Sequence, residues 1–279
     1  MTWILGRKRM LRTVNRHLRR RIGIISGSGP DAGLDLMRKI VVANRKFLGP
    51  GAGDKDAPKI AMVNFPEIGG PHGHWDLTPG SEASAELESN MKIAVNTMST
   101  LSDYFCVACN TLHNLQPLIE ATSTSGAKFI SIVDVVEEYC QEHKIDSLVV
   151  MGSTMTTDVK DTSPYAPLSG SVALPVLEDS LRTAQQSALE QIKSNGPFGI
   201  ETQQMFQDIL DSVPGDDILL GCTEFPLMPV TTKKRLIDPT QLLAEKLLAL
   251  SWGYEDGVLP IYTSELEGVM SEKESIPVA

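Results

Sequence analysis

The segment Arg21-Ile-Gly-Ile-Ile-Ser-Gly-Ser-Gly-Pro30 is a short β-branched run that ends in a glycine-rich turn. The residues that follow it place apolar side chains at positions 34, 37, 40 and 41, which is the spacing of one face of a helix. A strand, a turn and a helix in this order are typical of the start of an α/β domain.

The same alternation continues along the chain. The pattern predicts strands at 59–65, 104–108, 129–133, 147–151, 173–177 and 218–220. It predicts helices at 81–101, 135–142, 179–193 and 199–212, with Ser81 as the N-cap of the first of these. Strands that alternate with helices at this spacing favour parallel sheets with helices on both faces. We therefore predict an α/β fold.

The charge of the chain is unevenly distributed. The 279 residues include 25 basic and 35 acidic side chains, for a formal net charge of -10. Eight of the basic residues lie within residues 1–21, which contain no acidic residue, so the body from Ile22 onward carries a net charge near -18. An acidic body argues against a nucleic-acid-binding surface, which needs clustered cations. The sequence contains no run of 18 apolar residues, so it predicts no membrane span.

The basic segment 1–21 has two open interpretations. It is rich in Arg and free of acidic residues, as organelle transit peptides are, but it is poor in Ser. The alternative is a basic helical or disordered extension. Four sparse cysteines favour a reducing compartment over a disulfide-linked secreted protein. We predict a cytoplasmic protein, with an organelle as the alternative if residues 1–21 are a transit peptide.

Four polar loops, 26–30, 109–113, 152–156 and 221–224, each follow a predicted strand. Ligands of parallel α/β sheets bind beyond the carboxyl ends of the strands, so we expect these loops to converge on one site. The hydroxyl and amide side chains that they supply are Ser26, Ser28, Asn110, Thr111, Ser153, Thr154, Thr156 and Thr223. Together with backbone N–H groups at helix starts, they suit a small carboxylate ligand. We expect the pocket to be built from these groups rather than from lysines.

Cys109 and Cys222 each follow a strand in similar surroundings, and a weak internal duplication would place them on opposite sides of one cleft. We expect both thiols to be partly exposed, with nearby backbone N–H groups favouring the thiolate. Cys106 and Cys140 are more consistent with core packing. A redox or zinc role for Cys106-Val-Ala-Cys109 is disfavoured, because Cys106 lies inside a strand and further ligands are lacking.

Several motifs resemble those of the aspartate/glutamate racemase family, specifically its aspartate-racemase-like branch. The main ones are Ala108-Cys-Asn-Thr-Leu-His113, Leu220-Gly-Cys-Thr-Glu224 and Ile22-Gly-Ile-Ile-Ser-Gly-Ser-Gly-Pro30. Supporting ones are Gly152-Ser153-x-x-Thr156, Met62-Val-Asn-Phe65 with Trp75-Asp76, and Leu236-Ile-Asp-Pro-Thr240. The resemblance extends from Ile22 to about Ser251.

The resemblance implies two similar lobes, each a parallel sheet flanked by helices, with the active site in the cleft between them. We predict a first lobe at 22–133 plus 237–252 and a second at 134–236, with a basic extension at 1–21 and an acidic tail at 253–279. The resemblance also implies a homodimer that uses no pyridoxal phosphate, no other cofactor and no metal.

Carried over motif by motif, the resemblance makes Cys109 and Cys222 the two catalytic acid/base residues. The residues implied to bind the substrate's carboxylates and amine are Asn110, Thr111, Ser153, Thr156 and Thr223. We predict Ser28, in the loop after the first strand, as a further substrate-binding residue. The resemblance places Glu224 beside Cys222, and it gives His113, at the end of the first cysteine motif, a supporting position.

The predicted function is a racemase that interconverts L- and D-aspartate, with glutamate as a further candidate. Inverting an α-carbon without a cofactor needs one group to remove a proton from one face and another to deliver a proton to the opposite face. The predicted partner is a small amino acid or dicarboxylate, with no nucleic acid and no membrane. The alternatives are a related isomerase or decarboxylase on another small dicarboxylate, a non-catalytic amino-acid-binding protein, and a redox C-x-x-C protein.

Overall fold

The computed structural model describes residues 19–49, 52–70, 75–78, 80–123 and 126–259. One sheet has the strand order β2-β1-β3-β4, formed by β1 (Ile22–Ser26), β2 (Ile60–Asn64), β3 (Tyr104–Val107) and β4 (Lys128–Phe129). A second sheet has the order β5-β6-β7, formed by β5 (Val149–Met151), β6 (Asp217–Leu220) and β7 (Arg235–Ile237). All pairings between these strands are parallel.

Among the described residues, one α-helix follows each strand from β1 to β5, except that two follow β5, and no α-helix separates β6 from β7. They are α1 (Pro30–Leu48), α2 (Glu82–Leu101), α3 (Gln116–Thr122), α4 (Ile132–His143), α5 (Asp179–Asn195), α6 (Ile200–Ser212) and α7 (Pro239–Ser251). The last helix, α7, packs against both α1 and α4. It therefore joins the helices that cover the two sheets.

Both faces of each sheet are buried under helices. In β1, Ile24 packs in one apolar cluster with α1 and α7, whereas its neighbour Ile25 packs in another with α2. In β5, Val150 belongs to the first of these clusters, whereas Met151 packs with α5 and α6. Successive side chains of a strand point to opposite faces, so this division places helices on both sides of each sheet. The predicted fold class is confirmed.

Two strand predictions are wrong. The segment 129–133 contains only the end of the two-residue strand β4, because the Ser131 hydroxyl accepts the N–H groups of Val133 at 3.1 Å and Asp134 at 3.3 Å and so begins a helix. The segment 173–177 contributes a single bridge, between Ala173 and Ser147. By contrast, Ser81 caps α2 as predicted, by accepting the N–H of Ser84 at 3.1 Å.

The end of the basic segment belongs to the folded body. Arg19 is 6% exposed, and its guanidinium donates to the carbonyl oxygens of Lys55, Asp56 and Ala57 at 2.8, 2.6 and 3.0 Å. It also lies 4.4 Å from the centroid of the Trp252 ring. Residues 1–18 of the predicted extension and 260–279 of the predicted tail lie outside the described residues, and the lobe boundaries stay predictions. Within the described ranges, no helix combines the length and apolarity needed to cross a membrane.

Candidate active site

A pocket of about 240 Å³ of empty space, part of it open to solvent, lies where the loops after the strands of the two sheets meet. The loops of the first sheet contribute Ser28, Cys109, Asn110 and Thr111. Those of the second contribute Ser153, Cys222, Thr223 and Glu224. Thr156 and His113, also predicted for the site, are buried next to these residues but do not line the pocket. The structure therefore brings the four predicted loops together.

Cys109 follows β3, and both its side chain and its backbone carbonyl make hydrogen bonds. Its thiol is 6% exposed and donates to the Ser28 hydroxyl at 3.3 Å. Its carbonyl oxygen lies 2.8 Å from Nδ1 of His113. Since a carbonyl only accepts, the proton of the imidazole is on Nδ1, and Nε2 accepts the N–H of Ile132 at 3.0 Å. His113 thus joins the Cys109 loop to the first residue of α4.

The environment of His113 keeps its ring neutral. The side chain is 4% exposed and lies beside Phe129, with ring centroids 5.5 Å apart. Burial lowers the pKa of His113 to about 4, although its backbone hydrogen bonds act in the opposite direction. A neutral imidazole with both nitrogens engaged inside the protein has no free nitrogen for substrate, and it contacts Cys109 through the backbone carbonyl of that residue.

Cys222 follows β6 and is paired with a carboxylate. Its thiol is 9% exposed and donates to Oε2 of Glu224 at 2.9 Å, and the Thr223 hydroxyl donates to the same oxygen at 3.1 Å. The other oxygen, Oε1, lies 3.9 Å from Nζ of Lys193. The thiol, carboxylate and ammonium groups therefore form one chain of contacts along the pocket wall.

The expectation of partly exposed thiols that favour the thiolate is wrong for both cysteines. Burial raises the pKa of Cys109, although the Ser28 hydroxyl and the Lys193 charge act in the opposite direction. Burial, and then the negative charge of Glu224, raises the pKa of Cys222 well above its ordinary value. Each cysteine follows a buried strand, but its loop packs against the opposite lobe, so the thiols lose the solvent that a surface position would give them.

Lys193 corrects the expectation of a pocket without lysines. It lies in the last turn of α5, four residues after Leu189, and both side chains reach the pocket. Its side chain is 24% exposed, and its Nζ lies 5.9 Å from the centroid of the Trp75 ring, which also lines the pocket. Burial acts to lower the pKa of Lys193, but Glu224 and the two thiols outweigh it and raise the pKa, so the group is a cation.

Hydroxyl groups link the two halves of the pocket. The Thr111 hydroxyl, from the first sheet's loops, lies 3.2 Å from the Ser153 hydroxyl and 2.9 Å from the Thr156 hydroxyl. Ser153 and Thr156 are 3.1 Å apart. A hydroxyl can donate or accept, so this triangle adjusts to a ligand that takes one of its hydrogen bonds.

The remaining cysteines are core residues, as expected. Cys106 is 0% exposed within β3 and its thiol donates to the Gly23 carbonyl at 3.6 Å, and Cys140 is 1% exposed in α4. All four cysteines lie within the described residues and are free thiols. Among the residues that the structure describes, no group of three or more His, Cys, Asp and Glu side chains is arranged to hold a metal ion.

No family model matches the sequence. Solved structures, however, share its fold. Picrophilus torridus aspartate racemase aligns with a TM-score of 0.66 and 19% identity, over 84% of this chain and 94% of the other. An aspartate racemase homologue from Pyrococcus horikoshii aligns with a TM-score of 0.62 and 18% identity, over 83% and 98% of the two chains. Glutamate racemase from Campylobacter jejuni aligns with a TM-score of 0.55 and 16% identity, over 81% and 84%.

The molecule is therefore an α/β protein of two parallel sheets with a polar pocket between them. More particularly, its fold is that of the aspartate and glutamate racemases, as the sequence motifs predict.

Proposed function

We propose that the protein is a cofactor-independent amino-acid racemase that interconverts L- and D-aspartate, with glutamate as a further candidate substrate. One observation carries the proposal: two thiols that follow strands of two different sheets, Cys109 and Cys222, line one small pocket. Hydroxyl, amide and ammonium groups suited to carboxylates line the same pocket.

The proposed reaction uses the two cysteines as an acid/base pair. One thiolate removes the α-proton of the bound amino acid and becomes a thiol. The other cysteine, a thiol on the opposite face of the α-carbon, delivers its proton and becomes a thiolate. Inversion is complete, and the two side chains have exchanged protonation states. The reverse reaction uses the same groups in the opposite roles.

Substrate binding would supply a positive charge that stabilises one cysteine as the thiolate, with the thiol proton released to solvent through the open part of the pocket. Inside the pocket, burial disfavours the ionised form of Cys109 and Cys222. The α-ammonium group of an amino acid lies next to the α-carbon, so it would bring a positive charge close to both thiols. A nearby positive charge lowers the pKa of a thiol. Lys193 acts in the same direction on both cysteines.

The other lining groups would stabilise charge on the substrate. Lys193 offers the cation for one carboxylate, and the hydroxyls of Thr111, Ser153 and Thr223 offer neutral hydrogen bonds. Such fixed donors stabilise the negative charge that spreads onto the α-carboxylate as the proton leaves. The aspartate racemase of Picrophilus torridus has the same fold, which supports aspartate as the first substrate to test. The homodimer and the cytoplasmic location stay predictions from the sequence.

The test is α-proton exchange in deuterated water without added cofactor, starting from L-aspartate and separately from L-glutamate. The proposal expects the wild type to lose optical rotation and to gain α-deuterium on at least one of them. Cys109→Ala and Cys222→Ala should both lose inversion. Cys140→Ala, which removes a buried core thiol of α4 outside the pocket, is the matched control and should remain active.

The possible outcomes separate the alternatives. Failure of the wild type to exchange the α-proton of either amino acid refutes the racemase. Exchange that survives in the variant lacking both Cys109 and Cys222 refutes the two-thiol mechanism. Release of carbon dioxide from a small dicarboxylate identifies the decarboxylase alternative. Binding of aspartate with no exchange identifies a non-catalytic amino-acid-binding protein.

A further inference from the structure

Asn110 follows Cys109 in the loop after β3. The oxygen of its side-chain amide is hydrogen-bonded, whereas the NH₂ group has no partner among the described residues. The residue is 2% exposed and lines the pocket. Its Oδ1 accepts a hydrogen bond from the Tyr165 hydroxyl. Its Nδ2 is buried and has no hydrogen-bond partner among the described residues. Leaving a buried N–H donor without an acceptor costs about 1–3 kcal/mol, so this amide group is suited to a ligand that supplies the acceptor.

Tyr165 lies on the far side of this hydrogen bond, away from solvent. It is 0% exposed and sits in the apolar core that joins the two sheets. Its backbone N–H donates to the Ser163 hydroxyl at 3.1 Å, and Ser163 in turn donates to the carbonyl of Thr156 at 2.6 Å. The tyrosine is therefore anchored to the second-lobe loop that carries Ser153 and Thr156.

The Tyr165 hydroxyl fixes which way the Asn110 amide faces. As a donor, it matches Oδ1 and leaves the NH₂ group on the other side. With the amide turned over, the NH₂ group would meet the phenol, whose own proton would then lose its acceptor in the core. Burial raises the pKa of Tyr165 well above its ordinary value, so the phenol keeps its proton and remains a donor across the physiological range.

We propose that Tyr165 is a positioning residue that holds the Asn110 amide with its NH₂ group toward the pocket, where the amide donates to a carboxylate oxygen of the substrate. The inference deepens the proposed function, on which the identity of the carboxylate ligand rests. It assigns a role in recognition to a residue that lies in the core and does not line the pocket.

The test measures binding without turnover, by calorimetric titration with succinate, which carries two carboxylates and no α-amino group. We expect Tyr165→Phe to weaken succinate binding about tenfold, the effect of one misplaced hydrogen bond. The matched control is Tyr104→Phe, which removes another buried tyrosine hydroxyl, one that accepts from Arg20 at 2.6 Å outside the pocket. This variant should bind succinate within about twofold of the wild type.

A double-mutant cycle separates positioning from a general effect on folding. In the Asn110→Ala background, Tyr165→Phe should change succinate affinity by less than about twofold, because the group that it positions is gone. In the wild-type background, Tyr165→Phe should raise KM for aspartate about tenfold and leave kcat within about twofold, as expected for a contact made equally in the ground and transition states.

Two results would overturn the inference. One is that the folded Tyr165→Phe variant binds succinate as tightly as the wild type. The other is that Tyr165→Phe weakens succinate binding about tenfold in the Asn110→Ala background as well. No binding of succinate or aspartate to the wild type would also overturn it, since the carboxylate site itself would be missing. Succinate binding that depends on Tyr165 through Asn110, in a protein that exchanges no α-proton, would support the inference and refute only the proposed racemase.

Discussion

The buried imidazole of His113 makes the stability of this protein sensitive to acid. In the folded protein the ring is neutral and both nitrogens are hydrogen-bonded, to the Cys109 carbonyl at 2.8 Å and to the Ile132 N–H at 3.0 Å. Protonation would place a charge in the core and turn Nε2 from an acceptor into a donor facing another donor. We therefore predict that lowering the pH destabilises the wild type through this residue.

The size of the effect follows from the pKa of His113, which burial lowers from 6.5 to about 4. Because the folded-state pKa is lower than the unfolded one, the stabilisation is complete above pH 6.5 and is lost as the pH falls toward 4. One proton corresponds to about 1.4 kcal/mol per pH unit, so His113 should contribute about 3 kcal/mol over this interval.

The measurement is the free energy of unfolding in urea at pH 7.0, 6.0, 5.0 and 4.5, for the wild type and for His113→Asn. Asparagine does not titrate, and its amide can still donate to the Cys109 carbonyl. The Ile132 N–H loses its acceptor, which should cost the variant about 1–3 kcal/mol at pH 7. The two stability curves should then converge toward pH 4.5, because only the wild type loses the contribution of His113.

The matched control is His143→Asn, since His143 is exposed at the end of α4. Its free energy of unfolding at pH 7 should match that of the wild type, because changing an exposed side chain leaves no buried group without a partner. If the curves of the wild type and His113→Asn stay parallel from pH 6.5 to 4.5, His113 does not titrate at a lower pKa in the folded state, and the predicted acid sensitivity is refuted.

Three further predictions concern other parts of the molecule. Arg19→Ala should lower the free energy of unfolding by about 3 kcal/mol and leave KM and kcat unchanged, because the guanidinium binds the carbonyls of 55–57, which do not line the pocket. Gly29→Ala should reduce activity more than about tenfold, since its Cβ would lie 2.2 Å from Oε1 of Glu224 at a backbone φ of +95°. Glu224→Gln should speed alkylation of Cys222 by iodoacetamide at pH 8, because removing the carboxylate charge lowers the pKa of that thiol.

Two of these changes have a matched control in the chain. Arg45→Ala, in the exposed last turn of α1, should leave the unfolding free energy almost unchanged. Gly49→Ala imposes a similar backbone strain, at φ +71°, but its Cβ meets no atom within 4 Å, so full activity there and low activity in Gly29→Ala would identify the contact with Glu224 as the cause. An unchanged alkylation rate of Cys222 in Glu224→Gln would show that the carboxylate does not control the thiol.

Much of the fold could be predicted because its determinants are local. The turn after Ser26, the cap at Ser81 and the helical spacing of apolar side chains are each encoded within a few residues, and the structure has β1, α1 and α2 at these places. The parallel-sheet rule then predicts that the loops after the strands converge. The strand prediction at 129–133 is wrong because two local signals compete there. The β-branched residues favour a strand, but Ser131 caps a helix that begins at Ile132.

The two cysteine positions could be predicted as well, since Cys109 and Cys222 lie in recognisable motifs directly after strands. The protonation states of the two thiols could not be predicted from the sequence. The pKa of a buried thiol depends on how much solvent the opposite lobe removes and on which charges lie nearby, and both are set by residues distant in sequence. Ser28 contacts Cys109 across 81 positions, and Lys193 approaches Glu224 from another helix.

The sequence by itself therefore determined the α/β architecture and the four polar loops, because strand alternation, helix caps and turn residues act over short distances. Only the tertiary structure placed Lys193 on the pocket wall and Tyr165 behind Asn110. The residues that neighbour Lys193 and Tyr165 in the sequence do not indicate that either side chain lies at the pocket or behind it. The packing of α5 and of the segment around Tyr165 against the first lobe decides it, through contacts that form only when the whole chain is folded.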